Sequence, residues 1–341
     1  MAKENRVELI RQLQKARNNT IVICYVTSTK PNLVYQMADD AIRLIYEHLQ
    51  SIPKDSKPNI DLFLYSAGGA GTVPWRLVNL VREFSSSFEL LIPYKAYSAA
   101  TLVALGADKI WMHSMGELGP VDPKVANEFN PIDTQGRTIG INVEDVASYI
   151  SFIKDAGIKN QKDLIQALTL LGNKVHPLAL GNVHRFYSQA RLMGQKLLLL
   201  HTPKKEKRKI KEIVDNLTAK LYYHGHPINR KEAKEFGLKV EEPNNEIEDL
   251  MWRLYLEYEK EMEMLAPFKP VNMLNEANQD RLQINVKGVY IESQFRTDIF
   301  NSEIEIVRFT ATPQGQAPAQ DIARLRGQAQ ITILRDGWQT E

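Results

Sequence analysis

The chain has 341 residues, of which 43% are hydrophobic and 25% charged, so it is long and apolar enough to bury a full core. A formal net charge of +2 produces no strong overall field, so the composition favours neither a nucleic-acid partner nor an anionic membrane surface. The single cysteine, Cys24, excludes an internal disulfide framework and a multi-cysteine zinc site, and its apolar neighbours indicate a buried structural thiol.

The chain also lacks the signals of membrane insertion and export. No stretch approaches the roughly 18 continuous apolar residues of a membrane-spanning helix. The first residues are charged and contain no apolar signal core. We therefore expect a cytoplasmic protein without a membrane span.

Short apolar runs alternate with helical periods along the first third of the chain, a pattern typical of βαβ units and a parallel sheet. The predicted elements, in chain order, are a strand at 19–28, a helix at 35–52, a strand at 60–65, the turn "SAGGAGTV", a helix with Pro74 in its first turn, a strand at 88–94, a helix at 98–107 and a strand at 109–113. An α/β core is thus predicted early in the chain.

From about residue 141 the pattern becomes helical, and a further helix is predicted at 246–265. The segment "APFKPVNML" then resembles a linker, and alternating apolar residues beyond it predict strands around the Gly-, Pro- and Gln-rich "ATPQGQAPAQ". We predict two units. Residues 1–266 form an α/β domain with a helical extension, and residues 267–341 form a small β-rich module of unknown role.

The turn "SAGGAGTVPW" contains neither a Gly-x-Gly-x-x-Gly order nor a Walker-type Lys-Ser/Thr, so we expect no nucleotide or other cofactor. Gly68 and Gly69 lie between a predicted strand and a helix. Without side chains, their backbone amides can approach a ligand oxygen, as in an oxyanion hole. A tight strand-to-helix turn is the ordinary alternative.

A second turn, in "AYSAATLVALGADKIWM", places Ser98 where a strand gives way to a helix. Its hydroxyl would project at the carboxyl edge of the sheet, and the amide of Ala99 would point the same way. This is the arrangement of a nucleophile elbow, although no Gly-x-Ser-x-Gly is present. A serine that caps the helix is the ordinary alternative, and the local pattern on its own favours it.

Three ordered segments, "LFLYSAGGAGTVPWRLVNLVREF", "AYSAATLVALGADKIWMHSMGELGPVDP" and "YHGHPINRKEAKEFGLKV", resemble the motifs of the Clp protease and crotonase fold. The resemblance is strongest to the serine dehydrogenase proteinase family, which is related to the Clp peptidases and to signal peptide peptidase A. It covers about residues 20–265 and implies stacked ββα units. It also implies that Ser98 is the nucleophile, that Gly69 and Ala99 supply the oxyanion donors, and that "KEAKEFGL" packs beneath the site.

The catalytic base departs from the better-known relatives. Clp peptidases have a histidine about two dozen residues after the serine, whereas this chain has Asp122, 24 residues after Ser98. Relatives of signal peptide peptidase A use a lysine, which makes Lys124 or Lys109 a possible base. The sequence leaves these alternatives open.

The stretch "HGH" at 224–226 lies where Clp peptidases carry their acid, just before the "KEAKEFGL" segment. We therefore hypothesise a triad with exchanged partners, in which His224 is the base and Asp122 orients it. Triads are defined by geometry and not by chain order, so the chemistry permits the exchange. His226 is an alternative base, and Asp122 is also a good turn residue before a proline.

The remaining histidines offer no metal site, because none has a partner at metal-ligand spacing with a carboxylate nearby. His113 is predicted to be structural, and His176 and His184 to be packing or surface residues. His48 and His201 have no visible partners in the sequence. We expect no bound metal.

The function predicted from these residues is that of a serine endopeptidase, a hydrolase that cleaves peptide bonds through an acyl-enzyme on Ser98. The alternatives are a crotonase-like enzyme that stabilises an acyl-thioester enolate, or a catalytically weak scaffold protein. The resemblance implies a homo-oligomer acting on a peptide or protein substrate. It does not specify the ring size or a partner unfoldase.

Overall fold

A computed structural model describes residues 2–53, 57–121, 124–125, 127–133, 136–158, 160–203, 206–219, 225–308 and 329–341. Two of the predicted site residues, Asp122 and His224, lie outside the described residues. Lys124 is described only as part of a strand backbone.

Helices and strands alternate along the first half of the described chain, and a helical segment and three long strands follow. The helices are α1 (Ala2–Ala16), α2 (Ala41–Gln50), α3 (Val73–Phe84), α4 (Ala99–Leu105), α5 (Val143–Asp155), α6 (Gln161–Gly172), α7 (Pro177–Leu199), α8 (Lys207–Ala219), α9 (Arg230–Glu235), α10 (Asn245–Glu261) and α11 (Pro270–Glu276). The strands are β1 (Ile21–Thr27), β2 (Asn59–Tyr65), β3 (Ser87–Ile92), β4 (Lys95–Ala96), β5 (Lys109–Met112), β6 (Glu117–Leu118), β7 (Lys124–Val125), β8 (Ile141–Asn142), β9 (Ile228–Asn229), β10 (Val240–Glu241), β11 (Arg281–Ser293), β12 (Thr297–Arg308) and β13 (Ala329–Thr340).

The central sheet has eight strands among the described residues, in the order β10-β5-β3-β2-β1-β11-β12-β13. Strands β10, β5, β3, β2 and β1 pair in parallel, and the last three join by antiparallel pairing. The predicted α/β class and its parallel core are therefore confirmed. Parallel strands bring their carboxyl ends to one edge, and the turns that follow β2 and β3 meet there.

Helices cover both faces of this sheet, as the alternation along β1 shows. Ile23 and Tyr25 belong to the apolar core that includes residues of α2, α3 and α4. Val22, Cys24 and Val26 face the opposite core, which α1 and α10 line. Cys24 is fully buried, which confirms the prediction of a buried thiol, and this burial raises the pKa of the thiol.

The helix predicted at 35–52 begins later than expected, at Ala41. The side chain of Asp40 accepts a hydrogen bond from the Ala41 amide at 3.0 Å and so caps the helix start. The preceding residues are held away from helical geometry by a backbone bridge between Met37 and Gly69. The apolar spacing extended further than the helix because Met37 is buried as well, although not as part of a helix.

The β-rich region predicted at the end of the chain is present, and it continues the central sheet. Strand β11 pairs antiparallel with β1 over Ile23 to Thr27, and β12 and β13 extend the sheet outward from it. The division into units at residue 266 stays a prediction. A small apolar cluster around Leu274 of α11, Val286 and Ile304 fills the space between α11 and these strands.

The predicted helical extension corresponds to α5 to α8. Leu197 of α7 and Val214 of α8 join the core beside α4. Helix α6, in contrast, buries none of its residues. Among the helices that the structure describes, none is long and apolar enough to cross a bilayer.

Candidate active site

Ser98 lies in a strained turn between β4 and α4. Its backbone has φ +53° and ψ −113°, a combination that a residue with a side chain rarely adopts. Such a conformation raises the energy by about 1–3 kcal/mol and persists only where the surroundings impose it. Strain of this kind accompanies a nucleophile elbow, in which the sharp turn exposes the serine hydroxyl.

The ordinary alternative, a serine that caps the helix, fails on geometry. Ser98 occupies the cap position of α4, yet its side chain makes no capping hydrogen bond. The side chain is partly exposed, and its hydroxyl bonds to none of the residues that the structure describes. The strain at Ser98 is therefore not compensated by a cap.

Gly68 lies directly against this serine. A Cβ added at Gly68 would stand 2.8 Å from the Cβ of Ser98 and 3.3 Å from the amide nitrogen of Ala99. Gly68 also has φ +107°, in the region that favours glycine. The glycine turn after β2 and the serine turn after β4 thus contact each other.

Gly69 is held by Met37 in a parallel bridge. The Met37 amide donates to the Gly68 carbonyl at 2.8 Å, and the Ala70 amide donates to the Met37 carbonyl at 2.9 Å. In such a bridge the flanking residues make both bonds, so the amide of Gly69 itself points away from Met37. Within the described part of the chain, neither the Gly69 amide nor the Ala99 amide donates a hydrogen bond.

The buried hydroxyl groups of Ser66 and Thr27 hold the glycine turn through hydrogen bonds. The Ser66 hydroxyl accepts from the Gly68 amide at 3.0 Å, and the Thr27 hydroxyl donates to it at 2.9 Å. The Ser66 backbone also bonds to Lys95 and Tyr97, on either side of Ala96. None of these residues, nor Met37, was predicted from the sequence to support the site. A small polar residue at the end of each buried strand was the available signal.

Thr101 fastens α4 to the segment that leads toward Asp122. Its buried hydroxyl lies 2.8 Å from the carbonyl oxygen of Ala96 and 2.7 Å from that of Gly119, and it accepts from the Gly119 amide at 3.2 Å. Val121, the last described residue before Asp122, donates its amide to Leu217 of α8. The hydroxyl of Thr101, alone among the apolar residues of "AATLVAL", was the available signal in the sequence.

A small three-stranded sheet, in the order β4-β6-β9, pairs the segments that precede Ser98, precede Asp122 and follow the "HGH" stretch. Ala96 pairs with Leu118, and Leu118 pairs with Ile228. Ser98 lies two residues after Ala96, beyond the end of β4, and His226 lies two residues before Ile228, where β9 begins. The described segments next to Ser98, Asp122 and the "HGH" stretch are therefore neighbours.

Tyr97, the residue before Ser98, has an uncharged phenol side chain. Burial, together with a hydrogen bond that its hydroxyl donates to Glu117, raises the pKa of Tyr97 above its usual range. The added Cβ of a residue at 119 would lie 2.8 Å from the Tyr97 ring, so Gly119 permits the ring to pack there. Tyr97 therefore supplies no base near Ser98 at neutral pH.

The two described alternatives for the base differ. His226 lies 2.9 Å from a carboxylate oxygen of Glu232, with its side chain 36% exposed. Lys109 begins β5 beside Glu89, near the amino end of β3, whereas Ser98 follows the carboxyl end of that strand. Lys109 is thus at the opposite end of the sheet from Ser98, and it is not a candidate base.

The other histidines have structural surroundings. His113 stacks on Trp252 with ring centroids 5.0 Å apart, and the ring of His176 accepts from the Leu178 amide at the start of α7. His184 is exposed. The prediction for His48 and His201 was wrong, because both have partners distant in sequence: His48 bonds to Ser293 and Asp298, and His201 to the carbonyl of Leu105. Among the described residues, no group of three His, Cys, Asp or Glu side chains could hold a metal ion.

The fold and the serine turn define an α/β protein with a strained serine between β4 and α4. The chain belongs to the ClpP-like SDH-type serine proteinase family, whose model matches residues 1–176, just over half of the chain. This confirms the resemblance found in the sequence. The matched part includes Gly69, Ser98 and Asp122 and ends before the "HGH" stretch.

Two proteins of Methanocaldococcus jannaschii are similar in sequence. The uncharacterized protein MJ0137 is 26% identical over 242 residues, which span 69% of this chain and 73% of that protein. The uncharacterized protein MJ1495 is 24% identical over 181 residues, which span 53% of this chain and 51% of that protein. Among solved structures, ClpP1 from Listeria monocytogenes matches 70% of this chain and 98% of its own, with 10% identity and a TM-score of 0.34.

Proposed function

We propose that this protein is a serine peptidase that cleaves peptide bonds through an acyl-enzyme on Ser98. The observation that carries the proposal is the backbone of Ser98, strained at φ +53° and ψ −113° without a capping bond to compensate it. A crotonase-like enzyme needs no serine at this position, and a scaffold protein needs no strained one. Membership of a serine-proteinase family supports the same conclusion.

In the proposed reaction, the Oγ of Ser98 bonds to the carbonyl carbon of the scissile peptide and releases its proton to the base. The negative charge that develops on the carbonyl oxygen is received by the amides of Gly69 and Ala99. The carbon–nitrogen bond then breaks, and the departing amine takes the proton from the base. Water then gives a proton to the base and bonds to the acyl carbon. The bond to the Ser98 Oγ breaks, and the base returns the proton to the serine.

For the base we propose His224, oriented by Asp122. The proposal is supported by the register of β4, β6 and β9, which makes neighbours of the described segments beside both residues. His226 is the weaker alternative because Glu232 already engages its Nε2. Lys124 stays the alternative on the lysine model.

A fluorophosphonate probe tests the nucleophile, because an activated serine displaces its fluoride and becomes phosphonylated. We expect mass spectrometry to find the label on Ser98 in the wild type and no label in Ser98→Ala. Labelling of a different serine would contradict the proposal. A folded wild type that takes no label would favour the crotonase-like or scaffold alternative.

The base is tested by the pH dependence of the labelling rate in His224→Ala, His226→Ala and Lys124→Ala. With His224 as base, the wild-type rate rises with pH as the imidazole loses its proton and then levels off. His224→Ala then loses this dependence, and the other two variants keep it. A dead Lys124→Ala variant beside an active His224→Ala would show that the exchanged triad is wrong.

We also propose that the protein assembles as a homo-oligomer through its helical extension. Helix α6 buries no residue, and Ile165, Leu168 and Leu170 on it are 55%, 49% and 61% exposed. Neighbouring α5 and α7 expose Phe152 and Leu178. Apolar exposure of this extent is typical of surfaces that a partner covers.

A further inference from the structure

We infer that the C-terminal strands β11 to β13 position the oxyanion turn of the active site, and that Trp338 is a positioning residue for Gly69. The inference rests on the proposed function. It assigns a role to the β-rich end of the chain, which the sequence left without one. The link runs from the strands through α2 and the segment 35–40 to Met37.

The first step is the contact between this segment and the turn. Met37 makes both backbone hydrogen bonds that flank Gly69, and an added Cβ at Gly69 would stand 2.1 Å from the Met37 carbonyl oxygen. The plane of the Gly69 amide therefore follows the position of Met37. Any residue that displaces Met37 also redirects the proposed oxyanion donor.

The second step connects the segment to β13. The two carboxylate oxygens of Asp40 have different partners: one accepts from the Ala41 amide at 3.0 Å, and the other accepts from the indole nitrogen of Trp338 at 2.7 Å. Asp40 is three residues from Met37 and starts α2. The indole of Trp338 thus holds the junction between the segment and the helix.

Aromatic packing holds the other end of the same segment. Phe300 of β12 packs edge-on against Trp338 at 5.5 Å between ring centroids and against Tyr35 at 6.2 Å. Tyr35 also lies over Gly288 of β11, where an added Cβ would stand 2.3 Å from its ring. Strands β11 and β12 therefore contact Tyr35 before Met37, and β13 contacts Asp40 after it.

The far end of α2 is fastened to the same strands. The two ring nitrogens of His48 lie 2.8 Å from the Ser293 hydroxyl and 3.1 Å from a carboxylate oxygen of Asp298. Asp298 in turn accepts hydrogen bonds from Arg296 and Thr340. His48, Ser293 and Asp298 are buried, so α2 is held at both ends and cannot shift independently of the C-terminal strands.

The variant Trp338→Phe tests the inference, because it removes the indole donor to Asp40 and keeps a smaller aromatic ring beside Phe300. The matched control is Gln339→Ala, which removes the bond from Asn301 to Gln339 on the same pair of strands and touches neither α2 nor the segment. The measurement is the rate of fluorophosphonate labelling at Ser98, together with the final labelled fraction. The final fraction reports how much protein is folded, whereas the rate reports the geometry of the oxyanion donors in the folded molecules.

We expect Trp338→Phe to label to completion about tenfold more slowly than the wild type, and Gln339→Ala to label at the wild-type rate. Asp40→Ser keeps a helix cap but loses the acceptor of the indole, so it should be slowed to a similar extent. The double variant should be no slower than the slower single variant, because both remove one hydrogen bond. If Trp338→Phe does not fold, the labelling rate of Asp40→Ser is compared with the wild-type rate instead.

Two results would overturn the inference alone: wild-type labelling rates in Trp338→Phe and Asp40→Ser, or a reduced final fraction with an unchanged rate. The second result would show a purely structural role. A wild type that takes no label at Ser98 would overturn the proposed function, and the inference with it.

Discussion

An added Cβ on Gly68 would stand 2.8 Å from the Cβ of Ser98, closer than two such atoms approach in folded proteins. The two residues come from different turns, one after β2 and one after β4. Their contact brings the amide of the next residue, Gly69, into the neighbourhood of the strained serine. A side chain at 68 would force the two turns apart.

The variant Gly68→Ala should therefore slow labelling of Ser98 by roughly a hundredfold, because a displacement of about 1 Å at a catalytic group has effects of this size. The same turn offers a matched control, Gly71→Ala. An added Cβ at Gly71 meets no atom within 4 Å. We expect Gly71→Ala to label at the wild-type rate, and equal rates in the two variants would contradict the proposed arrangement.

A second prediction concerns the buried ion pair between α1 and β11. The side chain of Arg6 bonds to Glu292 at 2.7 and 3.1 Å, and Tyr258 and Thr297 donate to the same carboxylate. Removing one member of a buried pair leaves the other charge uncompensated. We expect Arg6→Met to lower the free energy of unfolding by about 3–5 kcal/mol, measured by denaturant titration.

The control for this change is Arg11→Met on the same helix. Arg11 and its partner Glu8 are both 57% exposed and their charged atoms are 4.0 Å apart. An exposed pair of this kind contributes about 0–1 kcal/mol, so the control should unfold close to the wild type. Equal effects of the two substitutions would show that the buried pair is not an anchor for α1.

A third prediction concerns the stability at acid pH. Burial alone would raise the pKa of Asp298, but hydrogen bonds from His48, Arg296 and Thr340 hold this pKa well below its usual range. The folded-state pKa is thus below the unfolded value of about 3.9, so the ionised carboxylate stabilises the fold above that pH. The contribution is lost as the pH falls through both values.

Asp298→Asn isolates this contribution, because the side chain keeps its shape and cannot ionise. The wild type should be more stable than the variant at pH 7, and the difference in unfolding free energy should shrink below about pH 4. Denaturant titrations of both proteins between neutral and acid pH measure it. A difference that stays constant with pH would show that the carboxylate charge has no role.

A fourth prediction tests the proposed assembly. Ile165→Glu places a charge on the exposed apolar surface of α6, and Gln166→Glu places the same charge on its exposed neighbour. We expect light scattering to find an oligomer for the wild type and for Gln166→Glu, and a smaller species for Ile165→Glu. An unchanged mass in both variants would mean that α6 is not a subunit contact.

The sequence predicted the part of the site that depends on local pattern. Alternating strand and helix periods located the turns after β2 and β4, and the residues in those turns drew attention to Gly68, Gly69 and Ser98. The family resemblance then implied the roles of Gly69, Ser98 and Ala99. Whether Ser98 caps a helix or takes a strained conformation could not be predicted. That choice depends on contacts from Gly68 and Ser66, which lie about thirty residues earlier.

The start of α2 and the role of His48 show the same limit of local pattern. Met37 fits an apolar helical period, but its hydrogen bonds to the glycine turn remove it from the helix. His48 bonds to Ser293 and Asp298, which are 245 and 250 residues away in the chain. A sequence pattern has no means of identifying partners at such separations.

The amino-acid sequence by itself determined the α/β class, the positions of the turns that contain Gly69 and Ser98, and the β-rich character of the last segment, because these follow from spacings of a few residues. The cytoplasmic location inferred from the sequence stays a prediction. Only the tertiary structure decided that β11 joins β1, that Trp338 bonds to Asp40, and that the serine turn is strained. Those outcomes depend on which distant strands become neighbours, and this is settled by burying both faces of one sheet.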